Sequence, residues 1–187
     1  MRYKIMIFSL LVVFVVAFAS LAGSGDKDFK YVGSKKCKTC HNSEKNGAQY
    51  KIWSENAHAK AFESLKGDAA KEKAKAAKVE GDPTKSEVCL GCHSTAGTKK
   101  NVDKDYDVTE GVGCEACHGP GSDYKKMSTM KVRKDAVAAG MVLADEKTCT
   151  NCHKADTPGH KGGFTTYEKE YAKIAHPVPA ENDRRQK

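Results

Sequence analysis

The chain has 187 residues, with 32 Lys and Arg against 24 Asp and Glu, a formal charge of +8. One Trp and 30% charged residues leave too little large apolar surface for a thick protein core, and the length fits a single domain. No nucleic-acid motif accompanies the basic balance, so nucleic acid is not an expected partner.

The N-terminus reads Met1-Arg2-Tyr3-Lys4, then an apolar run from Ile5 to Ala22 interrupted by Ser9 and Ser20. A basic start, an apolar stretch and small residues at Ala17-Phe18-Ala19 or Ser20-Leu21-Ala22 predict a secretory signal peptide over 1–22, cleaved near 19–24. The competing reading is an uncleaved anchor, at the lower edge of a membrane span. No cysteine lies near the cleavage region, which excludes a lipoprotein anchor. Residues 23–34 are a polar linker, and 35–187 form the expected domain, with no membrane span left after cleavage.

Tyr50, Trp53, Ala57, Ala61 and Leu65 recur at three- and four-residue spacing and predict a helix over 49–65. Gly67-Asp68 offers a break and a cap before a second helix over 69–79, ended by Gly81-Asp82-Pro83. Ser86 is placed to cap a short helix carrying Cys89 to His93, and 101–109 reads as an irregular loop. Residues 135–141 are expected to be helical, Asp145 or Thr148 to cap the next helix, and Tyr167 to Ile174 to form the last. No strand has a convincing pattern, so the fold class is mainly α with extensive loops.

Four segments share one spacing: Cys37-Lys-Thr-Cys40-His41, Cys89-Leu-Gly-Cys92-His93, Cys114-Glu-Ala-Cys117-His118 and Cys149-Thr-Asn-Cys152-His153. They use all eight cysteines. Cys-x-x-Cys-His is the attachment pattern of a c-type haem. Cysteines three apart lie on one side of a helical turn and can reach both vinyl groups of a porphyrin. The histidine that follows comes under the ring, which makes His41, His93, His118 and His153 the expected proximal iron ligands. Four-cysteine zinc sites or disulfides are the alternatives, and neither needs a histidine after every second cysteine. Four haem c groups are therefore expected. Their proximal histidines are 52, 25 and 35 residues apart. About 40 residues per haem is too few for separate pockets, so the haems are expected to pack together and serve as the core.

Seven histidines leave only His58, His160 and His176 for four distal positions, so one chain cannot supply four bis-histidine haems. His58 has small neighbours (Ala57, Ala59, Ala61) that clear space for a porphyrin, and His176 closes the last helix before Pro177. His160 sits in Pro158-Gly159-His160-Lys161-Gly162-Gly163, a loop short for folding back over its own haem. Met127 and Met130 are core packing or, in a chain short of histidines, thioether ligands. Loss of Arg2 and Lys4 lowers the charge to about +6, and haem propionates bring the holoprotein close to neutral. Lysines cluster at 66, 71, 73, 75 and 78 and again at 125, 126, 131 and 134, either as a solvated face or as docking patches for acidic redox partners.

Trp53-Ser-Glu-Asn-Ala-His58-Ala-Lys-Ala-Phe62-Glu-Ser-Leu65, Cys89 to His93 and Gly111-Val-Gly-Cys-Glu-Ala-Cys-His-Gly-Pro-Gly121 resemble the tetrahaem cytochrome c-554 family, from about Lys35 through His153 and more loosely to His176. The resemblance implies a mostly helical fold around haems stacked in pairs. It implies that His58 serves the third haem, that His176 serves the fourth, and that the second, on His93, has no protein distal ligand. It also implies periplasmic electron relay between donor and acceptor cytochromes or oxidoreductases. The chain departs from the family after Gly-Pro-Gly, where Met127-Ser128-Thr129-Met130 replaces a distal histidine of the first haem. An electron carrier, periplasmic or exported further, is thus the expected function. The alternatives are a reductase of nitric oxide, nitrite or hydroxylamine at an open haem and a subunit of an extracellular conducting filament. The segment after His93, Ser94 to Thr98, offers hydroxyls but no distal acid, and the Cys-x-x-Cys-Lys motif of multihaem nitrite reductases is absent.

Overall fold

The computed structural model describes residues 28–154, 157, 159–160 and 174–176. The expected signal peptide and nearly all of the expected last helix lie outside these residues. Within them the chain is a series of short helices joined by turns, and no strand forms; one parallel bridge joins Tyr31 to Val102. The expected fold class, mainly α with extensive loops, is what the described residues have.

The α-helices are α1 (Lys35–His41), α2 (Gln49–Glu55), α3 (Asp68–Ala76), α4 (Glu87–His93), α5 (Cys114–His118), α6 (Met127–Met130), α7 (Arg133–Ala138) and α8 (Glu146–Cys149). The first three Cys-x-x-Cys-His motifs lie on α1, α4 and α5, each helix ending at its histidine. The fourth begins at the last residue of α8 and runs through the turn that follows. Cysteines three apart therefore share one helical face in the first three motifs.

The single helix expected over 49–65 is three pieces: α2, then 3-10 turns at Ala57–Lys60 and Glu63–Leu65. The cause is Asn56. Its backbone is extended (φ −83°, ψ 158°) and its side-chain oxygen accepts from the N–H of His58 at 3.1 Å. A short polar side chain that bonds its own backbone competes with the helix ladder. The second helix starts at Asp68 and stops at Ala76, and the one expected over 135–141 is α7, two residues earlier. Ser86 stands at the cap position of α4, but its backbone carbonyl, accepting from Leu90 N–H at 2.8 Å, makes the contact rather than its hydroxyl. Asp145 and Thr148 cap α8 reciprocally: each side chain accepts from the other's N–H, at 3.1 and 3.2 Å.

The protein's own core is thin, as the composition implies. Phe62, Leu65 and Leu90 form its centre, with Cys89 and Val108 packed against it. The cluster joins the turn after His58 to α4, so what little apolar packing exists holds motif-bearing segments together.

Candidate functional site

The first and third motifs are stitched by backbone and carboxylate. Glu115, between the two cysteines of α5, is 2% exposed. Its carboxylate accepts from the N–H groups of Val32 (2.9 Å), Gly33 (2.7 Å) and Gly121 (2.6 Å). Burial pushes this carboxyl up, and the N–H bonds pull it back. Glu110 accepts from Ser34 N–H at 2.6 Å, and Ser34 Oγ accepts from Cys114 N–H at 3.2 Å. The residues that start α1 are thereby fixed against α5. The Cys37 and Cys114 thiols are close enough to bias each other, raising Cys37 and lowering Cys114. Cys152 Sγ donates to Gly91 O at 4.0 Å, joining the fourth motif to the second, and its thiol draws Cys92 down to about 6. Burial raises the Cys117 thiol, with Cys149 adding to the rise. No disulfide joins any two of the eight cysteines. Among the described residues no three His, Cys, Asp or Glu side chains gather as a metal centre, so the arrangement of a four-cysteine zinc site does not occur there.

Six of the seven histidines stand in pairs. His58 and His153 have ring centres 6.0 Å apart, as do His93 with His160 and His118 with His176. The angles between ring planes are 84°, 19° and 46°. One distance with three unrelated angles is what a bridging atom imposes, because rotation about the ligand–metal–ligand axis is free. An imidazole binds a transition-metal ion at about 2.0 Å, so two on opposite sides of one ion have ring centres about 6.3 Å apart. The pairs thus fit a haem iron held from both sides. Burial lowers the pKa of His58, His118, His160 and His176, each assisted by a nearby positive or imidazole group, which favours the neutral form of these rings.

Three proximal candidates have Nδ1 against an oxygen. His93 Nδ1 lies 2.8 Å from Ala61 O and 3.0 Å from Ser64 Oγ, His118 Nδ1 3.2 Å from Val142 O, and His41 Nδ1 3.3 Å from Gln49 Oε1. A ring that donates from Nδ1 leaves Nε2 as the lone-pair nitrogen aimed at iron. None of these orienting groups, nor Glu115, was marked by the sequence patterns.

The pairing departs from what the family resemblance implied. His58 meets His153 of the fourth motif instead of His118, and His176 meets His118 instead of His153. His58 is fixed by its backbone to the segment entering the third motif: Val112 N–H donates to His58 O at 2.9 Å, and Trp53 Nε1 donates to Val112 O at 2.8 Å. Its ring then crosses from there to the fourth motif. His93, for which the resemblance supplied no distal partner, faces His160. His160, in a loop short for folding back, does not face its own motif's histidine. Gly159 (φ +75°) turns it against α3, where an added Cβ would lie 3.1 Å from Lys73 O, and so delivers His160 to a different motif. Among the described residues His41 stands in none of these ring pairs. Met127 is 62% exposed and Met130 partly buried, both on α6.

Gly111 sets the close approach beneath His58. With φ +72°, a Cβ there would lie 2.7 Å from His58 O and 3.0 Å from Ala59 O. Gly111→Ala is expected to cost about 2–3 kcal/mol, from left-handed backbone strain plus displacement of the His58 turn. A lowered urea midpoint at unchanged slope is the readout.

A short-helix fold with Cys-x-x-Cys-His motifs on its helices and paired imidazoles between them defines a multihaem c-type cytochrome, an electron-transport protein that binds haem iron. The family model described as "Cytochrome c554 and c-prime" matches residues 36–119. The chain is 34% identical over 166 residues to the protein named cytochrome c-554 from Nitrosomonas europaea, a match covering 80% of this chain and 68% of that one. The chain belongs to the cytochrome c-554 family. No solved structure matches it. No described helix is long and apolar enough to cross a membrane.

Proposed function

We propose that the chain carries four covalently attached haem c groups and relays electrons between redox proteins outside the cytoplasmic membrane. The observation that carries this reading is the common 6.0 Å separation of three histidine pairs, each containing one motif histidine. A c-type haem supplies a one-electron Fe(III)/Fe(II) couple. The chain's part is to anchor each ring through Cys37 and Cys40, Cys89 and Cys92, Cys114 and Cys117, and Cys149 and Cys152. It also fixes the axial imidazoles and keeps the motifs close. Ser34 at the start of the first motif bonds Cys114, His58 held at the entry to the third motif faces His153, and Cys152 reaches Gly91 of the second, which supports a row first, third, fourth, second.

In this reading His58 and His153, His93 and His160, and His118 and His176 are the three bis-histidine sets. His41 is the exception, with Met130 or Met127 on α6 as the thioether sixth ligand. Met-His ligation would raise that haem's potential above its neighbours'. It predicts a weak thioether-to-ferric-iron absorption band that vanishes when both methionines become leucine; a native protein without the band removes methionine from the ligand set. The reductase alternative needs a second haem open on its distal side; His160 opposite His93 favours the electron-carrier reading. The filament alternative borrowed ligands from neighbouring chains, and three pairs within one chain make the loan unnecessary for three haems.

The test is the haem count of the purified exported protein by its alkaline pyridine spectrum. Four haems per chain, falling to three when both cysteines of any one motif become serine, is the expected result. A count of two or fewer contradicts the proposal.

A further inference from the structure

The two lysine clusters are not alike in the fold. Around α3, Lys66 pairs with Glu63 at 2.7 Å and Lys71 with Asp68 at 3.0 Å, so part of that charge is answered locally. Lys125, Lys126, Lys131 and Lys134 are all exposed and enter none of the ion pairs of the described residues. They flank α6 and the start of α7. Two valines on the same stretch, Val132 and Val137, are each 44% exposed. Apolar residues ringed by unpaired cations form the usual anatomy of a transient docking face.

The face is tied directly to an iron ligand. Ala136, fully buried on α7, accepts from Met141 N–H at 2.9 Å. The next residue, Val142, meets His118 twice: its N–H donates to His118 O at 2.8 Å, and its carbonyl accepts from Nδ1 at 3.2 Å. Two hydrogen bonds and a few covalent bonds therefore connect α7 to the proximal imidazole of the third motif.

We infer that the α6–α7 face, with Lys125, Lys126, Lys131 and Lys134 around Val132 and Val137, docks an acidic redox protein and passes its electron to the third haem through Val142 and His118. The inference rests on the haem assignment proposed above. One electron leaves the reduced partner and one ferric haem becomes ferrous, with no bond made and no proton moved. Cationic docking of an acidic partner raises the association rate by 10-fold to 1,000-fold at low ionic strength, and salt removes the gain.

The experiment uses the tetrahaem holoprotein and the hydroquinone of a flavodoxin, a small acidic flavoprotein that gives up one electron to become its semiquinone. Stopped-flow reduction of the wild type is expected to slow about tenfold or more between roughly 10 mM and 500 mM ionic strength. Replacing Lys125, Lys126, Lys131 and Lys134 by glutamine is expected to remove most of the low-salt rate and flatten the salt dependence. The milder pair Val132→Ser and Val137→Ser should slow the reaction at every salt concentration. A control with Lys71, Lys75 and Lys78 changed to glutamine should stay within about twofold. Neutral lumiflavin, photoreduced in place, should reduce all variants equally. The inference is overturned by an unchanged rate in the quadruple variant, an equal loss in the control, or a matching loss with lumiflavin. It is also overturned if the four lysines instead hold the protein to phosphatidylglycerol vesicles while flavodoxin ignores them. Missing haem bands in the wild type would sink the parent reading; intact bands with no effect of the lysines sink only the docking face.

Discussion

Glu115→Ala is expected to be the most damaging single substitution away from the haem-binding residues. It leaves the buried N–H groups of Val32, Gly33 and Gly121 without their acceptor. Each orphaned donor costs about 1–3 kcal/mol, so a total of about 3–9 kcal/mol is expected, enough to exhaust the margin of many small domains. The damage should propagate, because these bonds hold the approach to α1 against α5 and so keep the first motif beside the third. Urea unfolding of whatever holoprotein accumulates is the measurement, with haem content read alongside. Glu115→Gln keeps one carbonyl acceptor and should lose less. Equal stability of Glu115→Ala and wild type would show that the clasp is incidental.

The second large effect is expected at His160. His160→Gly removes the ring opposite His93 while keeping the loop's conformational freedom. One haem in the chain should then pass from low-spin to high-spin, and its ferrous form should bind carbon monoxide. The other haems should be unmoved, since His58 and His176 serve different motifs. The same change at His58 should open the fourth haem, and at His176 the third. Spectra of His160→Gly identical to wild type would mean that His160 is a neighbour of His93 and not its partner across an iron.

The motifs were legible because they are local: five consecutive residues specify a turn, two thiols and an imidazole. The mainly helical, loop-rich fold and the thin core followed from composition and period in the same way. The pairing of the histidines was not local. His58 and His153 are held together by bonds distant in sequence from both, and the family resemblance sent His58 to His118 and His176 to His153, the reverse of what the fold does. His160 was weighed against its own motif, whereas a positive-φ glycine and the backbone of α3 carry it to His93. The long helix over 49–65 failed at Asn56, where an apolar period continued across a residue that caps its own chain. Glu115 looked like one of two variable positions inside a motif. Only the tertiary structure puts three N–H groups around it.

The central claim is that six histidines form three axial pairs and that the His41 haem is different. Electron paramagnetic resonance of the fully oxidised holoprotein, integrated per chain, tests it most directly. The account predicts three bis-histidine low-spin haems and one haem of another kind, with the odd signal lost when His41 is replaced and kept when His93 is replaced. Four equivalent bis-histidine haems, or an odd haem that disappears with His93, would contradict it.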